Sequence, residues 1–500
     1  MTQSCQFACS NIYARLYSSS RDSCLLLDPP IQRVYNYFLK SRRQNLGCGK
    51  GARVNMDAND KRKFALLSGQ RVKETIVTFA LFGVILAPFM SRLDSQSFHG
   101  DENYWLRSSK YFKLFFLDLD TRSREWGEYF AYDSMPVGRY IIGFVLSISG
   151  HKDKFKELGE MKEWDFSRDY RWNAAAGATP PKGVLYPARL AMAIFGCISC
   201  MLVYWLGKIA LGLRFGVIAT LLLAYNPLML TCSRRAMVDA PLLCFLTANI
   251  VLMMFFYQYL QQKSLRRTFI FAAAIGVNIA LAAGTKFNGC LTGVIFLAFC
   301  MLALILRFKR RHVSPRLKDG EEPWIIAASL IIAATLCILV FVGMNPYLYH
   351  QPLAGTFNMV KLKLVQSHSQ QNWFSGAALP SLSQKIAFVF RRTLFPGDYV
   401  ALGNIFKFPL VFILFISGLT MLLSAEVKYI RNHRRASLRS IILIWVAVTF
   451  GGTTTWIPLD WDRYYLPLVF CVVVISGYSI SRITEKCLLA AERLMRRLRR

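Results

Sequence analysis

Ten stretches of 16 or more residues run with almost no charge, at about 75–91, 185–206, 215–231, 241–260, 268–284, 287–306, 324–344, 404–425, 440–456 and 464–481. A helix needs roughly 20 such residues to cross ~30 Å of hydrocarbon, and runs this long have no place on the surface of a soluble domain. The expected fold is therefore an all-α polytopic membrane protein with about 10 transmembrane helices. An eleventh run, 135–149, is short and carries Arg139. If it spanned, every later loop would change sides.

The basic residues settle that parity. With the N-terminus inside and 135–149 not spanning, the loops 207–214, 261–267, 307–323 and 426–439 and the tail 482–500 fall in the cytoplasm. They hold 23 Lys and Arg, against 4 in the opposite short loops 232–240, 285–286 and 457–463. Short loops rich in Lys and Arg stay cytoplasmic. The segment 135–149 is thus expected to lie at the outer surface or dip partly in. Residues 92–184 then form one outward loop of 93 residues, and 345–403 a second.

The net charge of +32 follows the same division. Residues 92–184 carry 14 acidic and 14 basic groups, a balance expected of a folded segment, whereas residues 1–72 carry 12 basic and 4 acidic ones. Basic segments beside a span hug an anionic leaflet, so the excess positive charge implies membrane lipids as partners and no nucleic acid. Three parts result: a basic, flexible cytoplasmic tail over 1–72, a transmembrane domain over 73–482, and a second basic cytoplasmic tail over 483–500. Met1 and Met56 both serve as candidate starts. None of the 13 cysteines lies in either outer loop, so no disulfides are expected there, and Cys197 and Cys200, inside a span, read as packing residues.

A few charged groups map to the outer face from distant parts of the chain. Asp101 and Glu102 follow the first span, with Tyr104 close behind; adjacent carboxylates repel, so at least one needs a cation or a proton. The segment 104–116 has the spacing of an amphipathic helix at the membrane surface. Arg235 and Asp239 sit where two spans join, and an i to i+4 salt bridge is their plain structural reading. Lys286 occupies the tight turn Gly-Thr-Lys-Phe-Asn-Gly, and Arg463 follows Asp460 and Asp462; snorkelling anchors are the alternative for both. Together they offer cations for a phosphate and a carboxylate base for a reacting hydroxyl, which suits chemistry on a lipid phosphate.

On these residues the chain resembles the GT-C type membrane glycosyltransferases, in particular the branch of protein O-mannosyltransferases and aminoarabinose transferases that use polyprenyl-phosphate sugars. The matching segments run in order: Asp101-Glu102 with Tyr104; Met135-Pro-Val-Gly138-Arg139, similar to that family's His-Pro-Pro-Leu-Gly-Lys; Arg189-Leu; Ser233 to Asp239; Lys286-Phe-Asn-Gly; Asn345-Pro-Tyr-Leu-Tyr; and Arg463-Tyr-Tyr-Leu-Pro467. Met135 stands where the family has His, and one proline is missing. The resemblance implies transfer of a sugar from a polyprenyl-phosphate donor to an acceptor hydroxyl on the non-cytoplasmic face, with inversion. It assigns Asp101 as base, Glu102 to orient the acceptor or a cation, Asp239 to hold Arg235 or the sugar, and Arg139, Arg235, Lys286, Arg463 and Tyr104 to substrate and phosphate binding. The acceptor would be a protein, a lipid or a polysaccharide. The active site would face the outside or periplasm in a prokaryote and the endoplasmic reticulum lumen in a eukaryote, with both termini cytoplasmic.

No cofactor is required by this reading. The pairs Asp118-Leu-Asp120 and Asp460-Trp-Asp462 resemble the D-x-D of nucleotide-sugar transferases, so a divalent metal is the alternative there, although a hard cation wants more carboxylates than one pair supplies. A polytopic transporter or lipid flippase is the competing function. Such proteins place ionisable residues at mid-membrane, where this sequence has only Arg189 and Lys407, both near span ends.

Overall fold

The computed structural model describes residues 58–313, 323–395 and 410–498. The expected start of the span at 404–409, most of the 1–72 tail and part of the 345–403 loop lie outside them. The chain divides into two units, residues 1–77 and 78–500, and everything below concerns the second.

Among the described residues the structure is helical and eight helices are long and apolar enough to cross a membrane, or nine if a bent pair counts as one. The chain is a multi-span integral membrane protein. The labels used here are α1 (Ala58–Met90), α2 (Gly100–Ser108), α3 (Pro136–Ile148), α4 (Leu185–Ala210), α5 (Leu213–Ala224), α6 (Pro227–Ser233), α7 (Asp239–Gln261), α8 (Leu265–Thr285), α9 (Leu291–Val313), α10 (Pro323–Gly343), α11 (Pro352–Trp373), α12 (Leu382–Thr393), α13 (Leu410–His433), α14 (Leu438–Trp456) and α15 (Leu466–Leu498). The run at 215–231 is broken into α5 and α6, bent by 65°, because Pro227 cannot donate to the preceding turn and Asn226 caps the new helix by accepting from the Met229 amide at 3.1 Å.

The segment at 135–149 forms α3, whose 13 residues rise about 20 Å, short of a span. It packs into the 92–184 segment instead. Leu106, Tyr111, Phe112, Trp126, Ile142, Phe155 and Leu158 bury one another in a core separate from the main transmembrane core, so the charge-balanced stretch 92–184 is indeed folded. The continuous amphipathic helix expected over 104–116 does not form. The helix stops at Ser108, resumes over Lys110–Phe112 and widens into a π-helical turn over Lys113–Leu117. Tyr111 and Phe112 are both buried in this core. Gly138 has a specific use: a Cβ there would collide with the Val238 side chain, so its absence lets α3 lie against the turn that leads into Asp239.

Candidate active site

The N-terminus of α2 is built by two residues that close on each other. The imidazole of His99 accepts from the Asp101 amide at 3.1 Å, and Glu102 accepts from the His99 amide at 3.0 Å, a capping box. Because Nδ1 of His99 accepts a hydrogen bond, the ring is neutral, in keeping with a pKa lowered to about 4, first by burial and then by the charges of Arg235 and Arg463. The 3.6 Å approach of His99 to Asp101 is therefore not an ion pair.

Glu102 is completely buried. Its carboxylate takes a bidentate pair from Arg189 on α4, Nε and Nη2 both at 2.8 Å, and the Ala236 amide at 2.7 Å. Arg189 in turn donates to the carbonyls of Leu93 and Gln96 at 2.8 Å. A charge pair this buried holds only when its remaining valences are satisfied, and here they are. Glu102, expected to contact the acceptor or a cation, has both oxygens engaged by Arg189, the Ala236 amide and the His99 amide. Arg139, expected at the substrate, is likewise engaged within the protein. Its guanidinium is fully buried, donates to the carbonyls of Phe130 (3.2 Å) and Ala131 (2.8 Å), and stacks on Tyr111 with its centre 4.6 Å from the ring. It locks the outer segment and does not line the cavity.

Asp101 points the other way. It pairs with Arg463, which enters from the start of the last span and lies 4.8 Å from the Trp461 ring. Asp239 is the first residue of α7, where the helix dipole favours a negative charge, and it accepts from Lys286 at 3.0 Å. The i to i+4 bridge from Arg235 to Asp239 is not made: residues 234–238 form a turn rather than a helix, and Lys286 claims the carboxylate.

Two cavities meet at the Asp101–Arg463 pair. The first, about 340 Å³, is lined by Asp101, Tyr104, Asp239, Lys286 and Arg463, with Trp105, Trp456 and Tyr464 as walls. The second, about 440 Å³, is lined by Asp101, Arg235, Arg463, His99 and Asp462, with Phe374 and Trp461. Asp101, Asp239, Arg235, Lys286 and Arg463, spread over more than 360 positions of sequence, thus line two adjoining spaces, while Glu102 and Arg139 stand behind them.

The first cavity also holds residues that the sequence did not single out. Asp133 accepts from Lys363 at 2.8 Å, from Gln366 and from Tyr104; Gln366 also donates to Tyr129. Burial and the charge of Asp133 push the Tyr104 phenol well above its ordinary pKa, so it remains a donor. A signal existed: Lys363, Gln366 and Gln370 recur at i, i+3 and i+7 on one face of α11, and all three line the cavity.

Neither D-x-D pair is arranged for a metal. Asp118 pairs with Lys113 at 2.7 Å, and Asp460 is held by Arg392 (3.0 and 2.5 Å) and the Tyr465 hydroxyl (2.8 Å). Among the described residues no group of three His, Cys, Asp or Glu could hold an ion.

Fold and site together define a polytopic, all-helical membrane protein whose helix ends enclose a charged cavity. Residues 128–375, just under half of the chain, match the model of the dolichyl-phosphate-mannose-protein mannosyltransferase family, so the resemblance carried by Met135 to Arg139, Ser233 to Asp239 and Lys286 to Gly289 holds over that stretch. The chain is similar to the oligosaccharyltransferase AglB of Archaeoglobus fulgidus, solved in complex with an inhibitory peptide and a dolichol-phosphate (TM-score 0.48, 14% identity, 84% of this chain and 52% of that one). It is similar also to ArnT of Cupriavidus metallidurans bound to undecaprenyl phosphate (0.46, 14%, 82% and 60%). A third is the Pmt1-Pmt2 protein O-mannosyltransferase complex of S. cerevisiae bound to the sugar donor (0.42, 17%, 57% and 34%). The chain thus spans about half the length of the first of these. No curated protein matches it.

Proposed function

We propose that the protein is a glycosyltransferase that moves a sugar from a polyprenyl-phosphate donor to an acceptor hydroxyl, on the non-cytoplasmic face, with both termini in the cytoplasm. The observation that carries this is the convergence of Asp101 with Lys286 and Arg463 in one cavity. A carboxylate base and two cations within one low-dielectric space are what displacement of a phosphate from an anomeric carbon demands.

The donor phosphate lies against Lys286 and Arg463, and the acceptor reaches Asp101 from the second cavity. Taking up Arg463 releases Asp101 from its resting ion pair and leaves it free to accept a proton. The acceptor oxygen bonds to the anomeric carbon as its proton passes to Asp101, the bond from that carbon to the phosphate oxygen breaks with its electron pair, and the new charge settles on the guanidinium and ammonium. Attack from the face opposite the leaving group inverts configuration. Asp239 keeps Lys286 in place, and Arg235 faces the acceptor side.

Asp101→Asn is expected to lower transfer by about 10² to 10⁴, read as loss of the glycosylated product in mass spectra of glycolipids and glycoproteins from cells complemented with wild-type or variant gene. Full product from both Asp101→Asn and Asp239→Asn would refute the assignment.

A further inference from the structure

The polar end of the first cavity bears on which sugar is transferred, an inference that rests on the function just proposed. The proposed base and phosphate-binding cations share this cavity with Asp133, Lys363 and Gln366, so a donor whose phosphate sits at Lys286 and Arg463 has the Asp133 group within the same space. We propose that Lys363, by neutralising Asp133, makes this end selective for an uncharged, hydroxyl-rich sugar and closes it to a sugar bearing an amine.

The argument is one of charge and valence. Asp133 has 8% of its side chain exposed and Lys363 25%, with the ammonium 2.8 Å from Oδ1. The other oxygen takes the Tyr104 hydroxyl, and Gln366 donates to Oδ1 while accepting from Lys363 at 2.8 Å. Three donors, one of them a full positive charge, already engage this carboxylate, so a ligand cation would find its charge offset. The cavity's other carboxylates, Asp101 and Asp239, are paired with Arg463 and Lys286, and its remaining lining includes the neutral Ser367, Gln370 and Tyr129 with the Trp105 and Trp373 rings. Amides and hydroxyls between aromatic walls bind sugar hydroxyls and apolar ring faces. An ammonium on the sugar beside Asp133 would meet the Lys363 ammonium, and like charges repel more strongly at a protein surface than in bulk water. Met135, which lines the same cavity, brings no charge; Lys363 arrives from α11, more than 200 residues away, to supply it. Removing Lys363 leaves a buried carboxylate without its cation, a state that draws in any available ammonium.

Equilibrium binding to the purified full-length protein in lipid vesicles tests this with three probes: bare polyprenyl phosphate, polyprenyl-phosphate mannose, and polyprenyl-phosphate 4-amino-4-deoxyarabinose. Wild type is expected to bind the mannosyl lipid at least tenfold more tightly than the amino-sugar lipid. Lys363→Met should erase or reverse that ratio while affinity for bare polyprenyl phosphate stays within about twofold, which also certifies the fold. Gln366→Glu, which adds a carboxylate and keeps Lys363, should shift the ratio the same way and serves if Lys363→Met does not fold. Equal or tighter wild-type binding of the amino sugar, or a ratio unmoved in the variants, overturns the inference and leaves the proposed function standing. Failure of wild type to bind any of the three lipids overturns both.

Discussion

Glu102 has no exposed surface and accepts hydrogen bonds from α4, from the 234–238 turn and from its own helix cap, whereas Asp101, one residue earlier, has 21% of its side chain exposed and opens on two cavities. In the chain the two are an acidic doublet with nothing to separate them. In the structure one is closed by its partners and the other is available to a ligand. The difference teaches that neighbouring carboxylates can be treated oppositely by a fold: one is satisfied on every side by the protein, and the other is held by an ion pair at a cavity wall.

That contrast can be broken by substitution. The largest effect on rate is expected from Asp101→Asn, which removes the base yet should leave the apparent melting temperature of the purified protein within a few degrees of wild type. Glu102→Ala should do the reverse. Leaving Arg189 buried without its partner costs about 3–5 kcal/mol, so the melting temperature and the yield of folded protein should drop sharply, and activity should fall only in proportion to the folded fraction. Equal loss of rate per folded molecule in both variants would make Glu102 a participant after all.

Arg139→Met sharpens the comparison at intermediate size. It removes a cation stacked on Tyr111 and leaves the carbonyls of Phe130 and Ala131 without their donor, so stability should fall by about 1–3 kcal/mol, while affinity for bare polyprenyl phosphate is unchanged. A large loss of that affinity would return Arg139 to the phosphate site.

The smallest effect concerns His99. Its folded pKa of about 4 lies below the ordinary 6.5, so between these values the unfolded chain binds more protons than the folded one, and stability falls as the pH drops through that window. Its contribution is fully present above about 6.5. Melting temperatures measured from pH 7 to 4 should decline less steeply in His99→Asn, which retains a capping acceptor and does not titrate; an identical slope would remove His99 from the account.

How much of this was legible beforehand differs by kind of feature. Eight of the ten apolar runs coincide with helices long enough to span and a ninth with the bent pair α5 and α6, since a 20-residue apolar helix suits the membrane, and the shortness of α3 follows from its length. The gathering of Asp101, Asp239, Lys286 and Arg463 was also legible, because sidedness alone confines them to one surface. The roles of Glu102 and Arg139 were not: a carboxylate or guanidinium reads the same in sequence whether its hydrogen bonds go to a ligand or to backbone carbonyls. Nor could the doublet at Asp101 be divided, because which side chain faces inward depends on where α4 and the 234–238 turn come to rest.

The sequence by itself therefore determined the membrane environment and the small set of charges that gather at the helix ends, since these follow from transfer energies that act residue by residue. Only the tertiary structure decided which charges pair, that Asp239 takes Lys286 and not Arg235, and that Lys363 reaches Asp133 across more than 200 residues. Pairing depends on separations of 3 Å between segments whose distance along the chain carries no information about them.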